Sequence, residues 1–211
     1  MRGAATGRLR NAIAGGRWHP GDRLPAERDL ATTLGISRAA AREALRELAT
    51  QGLVEPRRGS GTYVASVNAL ELAEVRLAVE PLAAALAAQH HRPEHADALR
   101  AQLRALERAV GDPVLFAATD LGLHLEVVRA SGNSVLERLY EQLAGLLTLS
   151  RGVTAREPGR LDLTLEQHAE LVTAILARDS TGAERAMRQH IRSVARTAAE
   201  RQEQEQPAGL L

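Results

Sequence analysis

From about residue 69 to residue 205, apolar positions recur at three- and four-residue spacing, which predicts helices nearly throughout. The pattern breaks near His91-Arg92-Pro93, Gly111-Asp112-Pro113, Ser131-Gly132-Asn133, Glu157-Pro158-Gly159 and from Asp179 to Gly182. These breaks delimit about six helices with no credible strand, an all-α bundle. The first third is different. RLRNAIAGG reads as a short helix ending at Gly15-Gly16, before a Pro20-Gly21 turn. Leu30, Ala31 and Leu34 then lie at helical spacing in AERDLATTL, and Gly35 supplies a turn. Ser37 is placed to cap RAAAREALRELATQG, which stops at Gly52. LVEPRR and GTYVA flank Gly59-Ser60-Gly61 as a hairpin, with Arg23-Leu24-Pro25 available as an edge strand.

In the longer of those two helices Ala41, Ala44, Leu45 and Leu48 form one stripe, and Arg38, Arg42 and Arg46 lie opposite. Two short helices around a glycine turn, followed by a hairpin, make a winged helix-turn-helix. The fold class expected is therefore mainly α: a winged domain over residues 1–66 and a helical bundle over 67–205. Residues 206–211 read as a flexible tail.

Charge follows the same division. Residues 1–66 carry eleven arginines against six acids, whereas the remainder carries sixteen against twenty. A basic first module suits an anionic partner. No run approaches the roughly 18 apolar residues of a membrane span, and the N-terminus has no signal-peptide core. There is no cysteine, so disulfides and thiolate metal sites are excluded, and a cytoplasmic location is expected. Trp18, Tyr63, Phe116 and Tyr140 are the four aromatics, leaving a core of Leu, Val, Ile and Ala.

Within the apolar run FAATDLGLHLEVVRA, Asp120 and His124 stand four apart and share a helix face. His168 shares a stripe with Leu171, Val172 and Ile175, and His190 falls with Met187, Ile191 and Val194. Four polar groups from three helices thus face one core, where each needs a partner. A hydrogen-bonded polar cluster is one solution, and a shared divalent metal is the other. Nitrogen and oxygen donors without sulfur suit Zn²⁺, Ni²⁺ or Mn²⁺, with positions left for a ligand's oxygens. Arg76, in line with Leu72, Val79 and Ala83, is either a second anchor for a carboxylate effector or an internal partner of Glu80. No further inward acid stands out near the quartet, and no nucleophile motif appears. His90, His91 and His95 cluster at the break beside Pro93 and are expected to be exposed; Asn133 is expected to cap the next helix.

The stretch PGDRLPAERDLATTLGISRAAAREALRELATQGLVEPRRGSGTYV resembles the DNA-binding domain of GntR-type bacterial transcription regulators. The resemblance implies a homodimer on a palindromic double-stranded operator, with reader helices in adjacent major grooves and wings in the minor groove. Carried over by position, Arg28 reaches phosphate or a base, and Ser37, Arg38 and Arg42 open the recognition helix. Arg58 and Gly59 form the wing tip. Ala26 stands in place of the more common Ser. Ala39 and Ala40 stand where many relatives have Pro or Thr, leaving contact with a thymine methyl but no hydrogen bond. Glu27, Glu43 and Glu47 are expected as capping or intramolecular partners.

ELAEVRLAVEPLAAALAA, DLGLHLEVVRASGN and EQHAELVTAILARDSTGAERAMRQH resemble the all-helical FCD domain of the FadR subfamily. Its metal-containing members hold the ion with an Asp-x3-His pair and two later histidines, which here are Asp120, His124, His168 and His190. The resulting expectation is a non-enzymatic, ligand-responsive regulator, most often a repressor in this subfamily. It would sense a small organic or sugar acid through its metal. The alternatives are a metal-free pocket for an acyl-CoA or other bulky ligand, and a metallohydrolase fused to a DNA module.

Overall fold

The computed structural model describes residues 2–66, 68–154 and 159–205. The expected break at Glu157-Pro158 and the tail at 206–211 lie outside them. The chain forms two compact units, one of residues 1–67 with 145–152 and the other of residues 68–144 with 153–211.

The first unit starts with α1 (Arg2–Ala14), which ends at Gly15 as expected. Helix α2 (Glu27–Leu34) closes on Gly35, whose left-handed conformation (φ 62°) satisfies the last carbonyls and turns the chain. Helix α3 (Arg38–Thr50) begins at Ser37, whose side chain accepts from Ala40 N at 3.1 Å. At the head of α2, Ala26 makes no side-chain cap. Strands β1 (Val54–Arg57) and β2 (Gly61–Val64) pair antiparallel, Val54 opposite Val64 and Arg57 opposite Gly61. The expected third strand reduces to a single bridge between Arg23 and Tyr63. Leu9, Ile13, Leu30, Ala41, Ala44, Leu48, Leu53 and Val64 are buried together, so the stripe read from α3 is the side that packs. Leu45, on the same stripe, is half-buried against that core.

The second unit contains α4 (Ala69–His90), α5 (Pro93–Ala109), α6 (Pro113–Ala130), α7 (Ser134–Thr154), α8 (Arg160–Leu176) and α9 (Ser180–Glu205). Residues 145–152 of α7 group with the first unit. The helix starts are written locally. Asn68 accepts from Leu70 N and Glu71 N, Asp112 from Val114 N and Leu115 N, and Asn133 from Val135 N and Leu136 N. Pro93 and Pro113 open α5 and α6, where a missing N–H costs nothing. Alanines 84, 87 and 88 of α4 let helices approach closely, and Leu99, Leu123, Leu171, Ile175 and Ile191 fill the core around them. Each fully buried leucine or isoleucine contributes about 1.5–3 kcal/mol. Helix α4 packs on α6, α8 and α9, and these four helices carry most of the polar groups buried in the unit.

The histidines beside Pro93 depart from expectation. His90 is exposed, but His91 is buried, with Nδ1 3.0 Å from the Ala87 carbonyl. His95 is mostly buried and its Nδ1 lies 3.0 Å from Glu126 Oε1. The start of α5 folds back onto α6 at this point, which covers side chains that a helix break alone leaves open.

Candidate metal centre and nucleic-acid interface

Helix periodicity turns Asp120 and His124 of α6 inward together, and α8 and α9 deliver His168 and His190 to the same place. All four are buried. One candidate ligand atom from each lies within 4.8 Å of every other. Asp120 Oδ1 is 3.8 Å from His124 Nε2 and 3.3 Å from His168 Nε2. The two Nε2 atoms are 3.0 Å apart. Ligand bonds of about 2.1 Å put neighbouring donors roughly 3.0–3.4 Å apart and opposite ones near 4.2 Å. These three separations fall within that span. The widest in the group, up to 4.8 Å, is longer and would have to contract on an ion.

The outer nitrogens support the same orientation. His124 Nδ1 is 2.5 Å from Glu80 Oε2, and His190 Nδ1 is 3.1 Å from Gln167 Oε1. Both partner oxygens accept a hydrogen bond, which fixes the Nδ1–H tautomer and leaves the Nε2 lone pair to face the centre. The donor set of three imidazole nitrogens and one carboxylate oxygen therefore fits a divalent ion such as Zn²⁺, Ni²⁺ or Mn²⁺. A sulfur-preferring ion is disfavoured.

Glu80 is the inward acid that the sequence reading did not place beside the quartet. It also receives Arg76 Nε at 2.6 Å and the Tyr140 hydroxyl at 3.0 Å. Burial opposes ionisation of this carboxyl, but Arg76 and His124 outweigh it and hold it well below the usual carboxylate range. Burial likewise works against the Arg76 cation, and the Glu80 charge more than compensates. Of the two readings open for Arg76, the internal pair with Glu80 is formed. Its i, i+4 spacing on α4 was the available signal. Gln167 and Arg160 carried no such signal, because their partners are distant in sequence.

In the first unit the arginines at the start of α3 are exposed and share one acid. Glu27 lies 3.2 Å from Arg42 Nε and 3.5 Å from Arg38 Nε. Arg28, 84% exposed, pairs loosely with Asp29. Ser37 and Ala39 are exposed, whereas Ala40 is half-buried against the core. At the hairpin tip Arg58 and Gly59 are exposed, Gly59 at φ 72°. The Arg57 guanidinium sits 4.2 Å over the Tyr63 ring, and the Tyr63 hydroxyl is 2.6 Å from Ser60 Oγ, which stiffens the wing. Glu47 is an intramolecular partner, accepting from Thr6 at 2.6 Å.

Comparison with known proteins agrees with both halves. Residues 2–64 match the family "Bacterial regulatory proteins, gntR family", and residues 71–193 match the FCD domain. A probable D-xylose utilization operon transcriptional repressor of Paenarthrobacter nicotinovorans is 35% identical over 78% of this chain and 74% of its own. A putative L-lactate dehydrogenase operon regulatory protein of Escherichia coli is 30% identical over 87% and 81%. Among solved structures, E. coli McbR/YncC superposes with a TM-score of 0.80 at 22% identity, covering 95% of this chain and 98% of that one. No helix among the described residues is long and apolar enough to cross a membrane. The chain belongs to the GntR family of transcriptional regulators, in the FadR-like branch that carries an FCD domain.

Proposed function

We propose that this chain is a homodimeric, ligand-responsive repressor whose helical domain holds a divalent metal and senses a small organic or sugar acid. In this reading residues 1–66 grip a palindromic operator through Arg28, Ser37, Arg38, Ala39, Ala40, Arg42, Arg58 and Gly59. Residues 67–205 dimerise and bind the metal through Asp120, His124, His168 and His190. The observation that carries the proposal is the convergence of four buried donors, with Glu80 and Gln167 fixing the outer nitrogens of two imidazoles.

Charge supports an anionic effector. Among the described residues, Asp120 and Glu80 offset the buried Arg76 and Arg160, so a divalent ion would make the proposed effector chamber more positive. When bound, the ion supplies a positive centre that a carboxylate oxygen can approach. Arg76, oriented by Glu80, forms a fixed cationic wall of the same chamber. The names of the relatives, one for a xylose operon repressor and one for a lactate dehydrogenase operon, fit a sugar- or hydroxyacid-linked repressor. Dimerisation has support in apolar side chains left open: Val75 and Leu82 on α4, Val114 and Leu115 on α6, Val135 and Leu139 on α7.

The effector acts only through unequal affinity for the operator-binding and operator-released arrangements. A tenfold shift in occupancy requires about 1.4 kcal/mol of coupling. The deciding experiment is elemental analysis of the purified protein beside thermal melts with and without chelator, using His168→Ala as control. Stoichiometric metal that the variant loses establishes the centre. A metal-free protein whose melting is unmoved by chelator or added Zn²⁺ rejects it.

A further inference from the structure

Arg160 is the first residue of α8, and it follows Gly159, which is in the left-handed region at φ 71°. The side chain turns inward, leaving the residue 7% exposed. Nη1 donates to Ser193 Oγ at 2.7 Å. Nη2 is fully buried and has no hydrogen-bond partner. Its nearest charged influences are Asp120, Arg76 and Arg196, and burial disfavours its charged form. The Asp120 charge acts on two guanidiniums in unlike states. Arg76 is neutralised at 2.6 Å by Glu80, whereas Arg160 has a serine on one arm and nothing on the other.

A buried guanidinium edge without a counterion is costly, and a fold does not need one here for packing. A residue with a long apolar arm fills that volume without the penalty. The planar two-edged guanidinium is, however, the side chain suited to a carboxylate. Asp120 is turned towards the histidines, 3.3 Å from His168 Nε2, so it offers Arg160 a field and not a salt bridge.

We infer that Arg160 is the anion anchor of the chamber, its Nη2 edge donating to a carboxylate of the effector, with Ser193 holding the guanidinium in register. This rests on the reading of the chamber as an effector pocket, and it assigns the recognition of the acid group to α8. Arg76 then sets the local charge without giving up its pair with Glu80.

The test uses full-length protein loaded with Zn²⁺, melted in chloride and in acetate, malonate or inorganic phosphate at matched ionic strength. Metal content is measured on every sample. The expected result is an upward melting shift of wild type with malonate or acetate. Arg160→Met should keep its metal, melt at or above wild type in chloride, and lose the anion shift. If Arg160→Met melts lower and loses the shift, Arg160→Lys decides: a weakened but present shift upholds the anchor, and none overturns it. An anion shift that survives in Arg160→Met overturns it, as does wild-type protein that carries metal yet responds to none of the three anions. Loss of the metal reading shows separately, as absent metal in wild type, and the dependence of any anion shift on Arg160 is still read from the same melts.

Discussion

The Nε2 atoms of His124 and His168 face each other at 3.0 Å in a buried site. Glu80 accepts a hydrogen bond from Nδ1–H on the far side of the His124 ring, so the inner nitrogen presents a lone pair. Either His168 donates to it or both nitrogens address one cation. Acid acts against the metal-bound state, because imidazoles must be neutral to coordinate. The difference in melting temperature with and without Zn²⁺ should shrink as pH falls from neutral into the range where imidazoles protonate. Glu80 does not confuse the measurement, since its carboxyl is held well below the usual range and stays ionised through that window. A metal-dependent shift that is constant from neutral pH to well below that range would argue against imidazole ligation.

Glu80 joins Arg76, His124 and Tyr140, so its removal should do two things at once. Glu80→Gln leaves the Arg76 cation buried without its counterion, a loss of about 3–5 kcal/mol in denaturant unfolding. It also removes the charge that orients His124, and metal affinity should fall by about 10–100-fold. Pairing it with Arg76→Met should recover much of the stability but not the metal affinity. Equal recovery of both would mean that Glu80 acts on the metal only through overall stability.

These links explain what could be read in advance. Capping and turn chemistry is local, so Ser37, Asn133 and Gly35 stood out as boundaries. Periodicity assigns each residue to a face, and that was enough to bring Asp120, His124, His168 and His190 into one interior. It does not say which buried polar atoms meet across helices. The pairs Glu80 with His124 and Gln167 with His190 span 44 and 23 residues, and neither leaves a mark in a helical repeat. Arg160 was hidden for the same reason, its Ser193 partner lying on α9. His91 and His95 were misjudged because a proline break was taken as exposure, whereas α5 packs on α6 from its first turns.

Ser37 caps α3, the proposed recognition helix, through its contact with Ala40 N. Ser37→Ala should cost about 1 kcal/mol of stability in the first unit. Because fraying begins at the end that carries Arg38 and Arg42, operator affinity should drop more than helix content does. Comparing circular dichroism with operator titrations on the same samples checks this. Proportionate losses would reduce Ser37 to a purely structural cap.

Glu27 holds both Arg38 and Arg42 in the free protein, and under the proposed operator contact DNA would have to compete for them. Each pair is partly exposed, so its strength is modest and salt-screened. Glu27→Gln should therefore raise affinity for scrambled and cognate duplexes alike and steepen the dependence on salt, because two more cations become available to phosphate. Arg42→Ala should act in the other direction and unevenly, weakening the cognate duplex by about 1–3 kcal/mol while leaving scrambled DNA less affected. Titrating both variants against both duplexes at several salt concentrations separates the roles. If Arg42→Ala weakens the two duplexes equally and lowers the salt slope by about one, Arg42 contacts phosphate and the base reading passes to Arg38.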